Sequence, residues 1–187
     1  MKLEEKVVEL LKQKNLIFTC AESCTGGLIA KRITDVSGSS SVFECGIVSY
    51  SNRIKHEILG VSSETLEKFG AVSEECAREM VNGVLSLTGA DIAVAVTGIA
   101  GPTSDNTNKP VGLVYIAFSD GKSTIVKKCL NDFSDNIREN NRNKSADTAL
   151  ETPPFRENTA CRPPMAAEHP RVRQRACFRH LRIYREK

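Results

Sequence analysis

The densest chemistry in this chain lies in Glu22-Ser23-Cys24-Thr25-Gly26-Gly27, where a carboxylate, two hydroxyls and a thiol precede two glycines. A serine hydroxyl becomes a useful nucleophile only when a base takes its proton. No histidine is well placed for that, since His56 is the only one before residue 169. Lys55 is the better candidate, because burial can bring a lysine pKa towards neutrality. Tyr50 could relay the proton or orient the amine. The plainer readings are a surface lysine and a packing residue at a strand end. Cys24 is a rival nucleophile if a helix N-terminus lowers its pKa, although most free cysteines are small buried hydrophobes. Glu22 could be a general base or simply hold the turn. Backbone N–H groups from Thr25 to Gly27 could hold an oxyanion. Alternatively, Thr25, Gly26 and Gly27 bind a phosphate at the start of a helix. Spacing alone leaves these alternatives open.

The elements around this span must position it. The apolar run Leu16-Ile17-Phe18 reads as a buried strand, and apolar spacing resumes as a helix at Leu28-Ile29-Ala30. The plain alternative is a tight strand-to-helix turn capped by Ser or Thr. Residues 3–14 have the spacing of an amphipathic helix. The helix from Leu28 runs to about Asp35, residues 36–41 are a loop by composition, and Phe43 to Tyr50 is β-prone. Ser51-Asn52 then turns the chain into a helix carrying Lys55. Ser62 or Ser63 caps a short helix through Phe69, and Ser73 caps a longer one with Ala77, Met80, Val81, Val84 and Leu85 on its core face. Asp91 to Thr97 is a buried strand that opens into a second glycine-rich loop, Gly98-Ile99-Ala100-Gly101-Pro102. Residues 111–118 and 122–130 are strands joined by Ser119-Asp120-Gly121, a hairpin signal. Residues 136–150 form a last helix. Strands alternating with helices, then a hairpin, predict a three-layer α/β fold: a mixed, partly parallel sheet with helices on both faces. Ligands gather beyond the strand ends of such sheets. That selects the Ser23 turn, the Tyr50–Lys55 segment and the loop that carries Thr97, Gly98 and Gly101.

The chain of 187 residues is long enough for one cored domain, 40% of it is hydrophobic, and no apolar run reaches the ~18 residues of a membrane helix. The N-terminus lacks the pattern of a signal peptide, so a cytoplasmic protein with reduced thiols is expected. Seven cysteines, none in a C-x-x-C pair, do not make a metal site, and no metal is expected. The net charge of +3 hides a split near Thr152. Residues 152–187 hold nine basic and three acidic residues, eight of the basic ones Arg, and five of the seven prolines. Residues 1–151 hold 17 basic against 20 acidic. The chain therefore divides into a domain over 1–151 and an Arg/Pro-rich tail, 152–187, expected to be irregular or disordered. Clustered Arg with Phe155, Phe178 and Tyr184 could bind nucleic acid, but a solvated segment is the stronger expectation.

Ala21-Glu22-Ser23-Cys24-Thr25-Gly26-Gly27, Gly38-Ser39-Ser40, Tyr50-Ser51-Asn52 with Lys55, Leu59-Gly60-Val61 and Val96-Thr97-Gly98-Ile99-Ala100-Gly101-Pro102 resemble the CinA C-terminal domain family. The resemblance spans roughly residues 4–150, and that family includes nicotinamide-nucleotide amidases. It implies a cytoplasmic bacterial hydrolase converting nicotinamide mononucleotide to nicotinate mononucleotide and ammonia. Neither metal nor organic cofactor is implied, and the partners implied are the small-molecule substrate and a second copy in a dimer. Carried over, Ser23 matches the nucleophile and Lys55 its base. Tyr50 and Thr97 match site-lining positions, and Ser40 the loop serine. The substrate's 5′-phosphate needs an anion site, which the glycine-rich loops and Arg138 could supply. The family usually shows Phe-x-Gly-x-Arg before the last helix. Here Phe133 to Arg138 is one residue longer and lacks the glycine, although Arg138 and Arg142 still align with the family arginines, and the tail has no counterpart. A second reading, a catalytically impaired nucleotide-binding regulatory module of the same fold, follows from that departure.

Overall fold

The computed structural model describes residues 1–104 and 107–151. The tail 152–187, with its expected disorder and its Arg cluster, lies outside the described residues. The elements in chain order are α1 (Leu3–Lys14), β1 (Phe18–Glu22), α2 (Leu28–Thr34), a 3-10 turn (Ser39–Ser41), β2 (Phe43–Val48), α3 (Asn52–Leu59), α4 (Ser63–Lys68), α5 (Glu74–Thr88), β3 (Ile92–Gly98), β4 (Leu113–Ser119), β5 (Thr124–Leu130) and α6 (Ile137–Leu150). The expected helices and strands are all present. Among the described residues, no helix is long and apolar enough to cross a membrane.

The five strands form one sheet in the order β2-β1-β3-β4-β5. β1 pairs in parallel with both β2 and β3, whereas β3–β4 and β4–β5 are antiparallel. The sheet is mixed because helices return the chain between β1, β2 and β3, while a short turn joins β4 to β5. In that turn the Asp120 carboxylate accepts the N–H groups of Lys122 (2.9 Å) and Ser123 (2.8 Å).

Alternation along the strands sorts the core into two layers. Phe18, Cys20, Val94, Val96, Val114 and Ile116 face α1, α2 and α6. Ala21, Ala93, Ala95 and Ala117 face the other way, against α3, α5 and the partly buried Leu66 of α4. The small residues on that second face leave room for the larger side chains of α5, with Met80, Val81 and Val84 fully buried. The three-layer architecture is as expected. Element ends differ by a residue or two. β2 stops at Val48, opposite Glu22 at the end of β1, because the chain then turns into α3, where the Ser51 hydroxyl accepts the Ile54 N–H. β4 begins at Leu113 because Gly112 instead donates to the Ile99 carbonyl across a turn.

Strand polarity decides where a site can form. β1, β2 and β3 are parallel, so the segments leaving their C-terminal ends share one edge of the sheet. Across the far layer, α3 meets α5 at Gly83, where an added Cβ would run into the Leu59 carbonyl oxygen. Gly83→Ala should therefore destabilise the protein by about 1–3 kcal/mol through overpacking. Urea unfolding checks this, with an unchanged midpoint as the contrary result.

Candidate active site

Ser23 follows the last residue of β1 and is tied to both neighbouring strands. Its N–H donates to the Val96 carbonyl (2.9 Å), and the preceding Glu22 carbonyl accepts the Ser49 N–H (2.8 Å). The turn continues through Gly26, at φ +61°, whose N–H returns to the Ser23 carbonyl at 3.1 Å. Only a residue without a Cβ adopts that conformation readily.

The anion at the start of α2 is the protein's own. The Glu22 carboxylate, 1% exposed, accepts N–H groups from Gly27 (3.0 Å), Ile29 (3.1 Å) and Ala30 (2.9 Å). This satisfies donors that a helix N-terminus otherwise leaves unpaired and places negative charge where the macrodipole favours it. Of the two roles open to Glu22, the geometry gives it the turn. It also corrects two expectations. The Gly27 N–H is taken by Glu22 and the Gly26 N–H by Ser23, so neither is left for an oxyanion, and a phosphate would have to displace a buried carboxylate to sit there. Among the described residues, no backbone carbonyl of the turn accepts the N–H of Cys24 or Thr25.

Lys55 lies in the first turn of α3 and is 1% exposed, so the surface-lysine alternative fails. Its Nζ is 3.1 Å from Ser23 Oγ and 2.8 Å from the Ser49 carbonyl. Burial disfavours the ammonium and holds Lys55 below its ordinary 10.5, outweighing the opposing pull of Cys76 and Cys24. In its neutral form the amine keeps one N–H on Ser49 and turns its lone pair to the Ser23 hydroxyl. Cys24 is driven the other way. Burial pushes its thiol up to about 12, so the thiolate a cysteine nucleophile requires is suppressed.

These groups open onto a cleft of about 280 Å³. Ser23, Lys55, Thr97, Gly98, Gly101 and Arg138 line it, with Tyr50 at the mouth. The Thr97 hydroxyl donates to the Ala71 carbonyl at 2.7 Å and draws the 69–72 segment against the cleft wall. Arg138 donates to the Gly101 carbonyl and to the Tyr50 hydroxyl, both at 2.8 Å. Tyr50 is 61% exposed, and its hydroxyl is held by Arg138 rather than by Lys55. The relay expected of it is replaced by a place in the cleft rim. Ser40 is not brought to the cleft. It is exposed on the 3-10 turn before β2, at the opposite end of that strand, roughly 20 Å away for six extended residues.

Phe133 to Arg138 keeps its function as a turn despite the missing glycine. Asn136 caps α6 at φ +40°, ψ +37°, a left-handed conformation that asparagine tolerates better than most residues. It stands two residues before the arginine, as the glycine does in the family pattern, so Arg138 still reaches the cleft. Asn141 was not singled out by the sequence, and Arg142 only by its alignment with a family arginine. Asn141 donates to the Ala100 carbonyl (3.0 Å), and Arg142 donates twice to the Thr25 carbonyl (3.2 and 2.7 Å). A readable signal existed: Asn141 and Arg142 follow Arg138 by three and four residues, which puts them one helical turn beyond it.

A serine hydroxyl 3.1 Å from a buried lysine amine thus lies where the parallel strands of the sheet end. The chain belongs to the CinA C-terminal domain family, whose model matches residues 1–153. It is 54% identical over 132 residues to the nicotinamide-nucleotide amidohydrolase PncC of Enterobacter agglomerans, a match covering 68% of this chain and 80% of that protein. It is also 54% identical over 126 residues to a CinA-like protein of Kosmotoga olearia, covering 67% of this chain but only 31% of that longer one. The chain thus spans about a third of the length of several curated relatives it matches. Among solved structures, competence/damage inducible protein CihA of Agrobacterium tumefaciens superposes with a TM-score of 0.75 at 41% identity, over 80% of this chain and 90% of that one.

Glu22→Gln replaces one carboxylate oxygen with an amide NH₂ facing backbone N–H groups. It should cost roughly 2 kcal/mol of stability through buried donors left without acceptors. Thermal or urea unfolding of the two proteins checks it.

Proposed function

We propose that this chain is a serine amidase that hydrolyses the carboxamide of nicotinamide mononucleotide to nicotinate mononucleotide and ammonia. The observation that carries the reading is the Ser23–Lys55 pair, 3.1 Å apart in a buried corner of a cleft. The identity to PncC supports the choice of substrate.

In this reading neutral Lys55 takes the Ser23 proton as Oγ attacks the carboxamide carbon. The tetrahedral oxyanion is held by the backbone N–H groups of Cys24 and Thr25, a type of interaction worth roughly 3–4 kcal/mol per donor. The lysine proton passes to the departing nitrogen, ammonia leaves, and Ser23 remains as the ester. Lys55 then removes a proton from water, which attacks the ester carbonyl. Collapse returns the proton to Ser23 and releases the carboxylate product. Thr97, Gly98 and Gly101 form the wall against which the amide lies, and Arg138 places a guanidinium at the rim for the phosphate-bearing end. That Arg138 still reaches the cleft favours a working enzyme over the impaired regulatory module.

Ser23→Ala should abolish ammonia release, whereas Cys24→Ala should retain it within a few-fold. Measured turnover of both variants distinguishes the nucleophiles, and the reverse pattern would sink the serine mechanism. The pH profile is a second test. The proton acceptor is the neutral amine, so kcat/KM should rise with pH through a single limb whose midpoint lies below 10.5. A profile flat across the range in which Lys55 titrates would remove it as the base.

A further inference from the structure

Arg142 is absent from the cleft lining, and its contacts are with backbone. Nε and Nη2 donate to the Thr25 carbonyl at 3.2 and 2.7 Å. The other end of that same peptide unit, the Gly26 N–H, donates to the Ser23 carbonyl at 3.1 Å. One peptide therefore receives a cation on its oxygen and closes the nucleophile turn with its hydrogen. Electron density drawn onto the oxygen makes the amide hydrogen more positive, so each bond strengthens the other. The planar fork of arginine suits this double contact, which a lysine ammonium cannot reproduce in the same geometry. Gly26 admits it twice over. It takes the left-handed conformation, and a Cβ there would stand 3.2 Å from Arg142 Nη2, where the guanidinium must yield.

The neighbouring elements hold Arg142 in register. Asn141 anchors the same helix to Ala100, and Asp147, further along it, pairs with Arg32 of α2 at 2.7 Å. The contact is thus a fixed strut between α6 and the turn.

We propose that Arg142 is a positioning residue for Ser23, clamping the Thr25–Gly26 peptide so that Oγ stays on Lys55. Its kinetic consequence rests on the amidase reading above, and its structural consequence rests on the hydrogen bonds alone. A residue that acts through the turn without touching substrate lowers kcat and leaves KM in place.

The test uses the full chain as wild type, Arg142→Ala and Arg142→Lys, with amide hydrogen exchange and steady-state ammonia release measured on each. The Gly26 amide should exchange about tenfold faster in Arg142→Ala, with β3 amides unchanged and Arg142→Lys intermediate. In the same series kcat should fall about tenfold or more with KM within about twofold, and millimolar guanidinium should restore part of kcat in Arg142→Ala. Unchanged Gly26 exchange overturns the proposal whatever the substrate. A raised KM with unchanged kcat overturns it too, since that marks direct substrate binding. Should Arg142→Ala not fold, Arg142→Lys carries the same two readouts. Absence of ammonia release from the wild type would refute the amidase reading while the exchange result still decides the role of Arg142.

Discussion

The structure depends first on a carboxylate that never meets water. Glu22 ends β1 and accepts three N–H groups from the start of α2, so strand and helix are joined by charge-assisted hydrogen bonds as well as by chain. Burying a carboxylate is tolerable only because each bond replaces one lost to solvent. The geometry this imposes is severe. The chain must reverse within four residues, and Ser23 sits at the apex with its own N–H committed to β3. Ser23 is thereby a fixture of the sheet rather than of a mobile loop. That rigidity is what near-attack geometry requires.

A second buried charge site is resolved in the opposite way. Lys55 has no carboxylate partner among its contacts; it meets a hydroxyl and a carbonyl. Desolvation outweighs what favours the ammonium, so burial shifts the group towards its neutral form, the form that the proposed mechanism uses as proton acceptor. The same desolvation keeps the adjacent Cys24 as a thiol. One dry corner therefore activates the lysine and silences the cysteine, because desolvation always favours the uncharged species. In the proposed mechanism this favours serine over the intrinsically stronger sulfur.

α6 joins these local arrangements into one site. Its C-terminal half is mostly buried, with Ala146, Ala149 and Leu150 in the core. Its N-terminal half reaches across the strand ends to three carbonyls, those of Thr25, Ala100 and Gly101. The left-handed Asn136 aims that half of the helix. Carbonyl oxygens at loop apices are satisfied here by side chains from a single helix, which couples the Ser23 turn to the Gly98–Pro102 loop. The order of the two cleft walls thus rests on one element that contributes only Arg138 to the cleft itself.

Most of the fold was legible in the sequence because it rests on local terms. Apolar periodicity, β propensity and serine caps marked most helices and strands, and the Asp120-Gly121 turn marked the hairpin. Alternation of strands with helices set the parallel part of the sheet. Ser23, Lys55 and Thr97 were legible as chemistry beyond strand ends. The remainder depends on contacts between distant residues, which no local pattern encodes. Whether Lys55 is buried follows from the packing of α3 on α5. Whether a glycine N–H is free follows from where the Ser23 carbonyl and the Glu22 carboxylate point, and these removed Gly26 and Gly27 as anion donors. Tyr50 moved to the rim because Arg138, 88 residues later, holds its hydroxyl. Ser40 fell away because strand direction puts it at the wrong end of β2. Residue types and spacing determined which groups could react; tertiary structure decided their protonation and their partners, because burial and long-range hydrogen bonds are set only when the layers close.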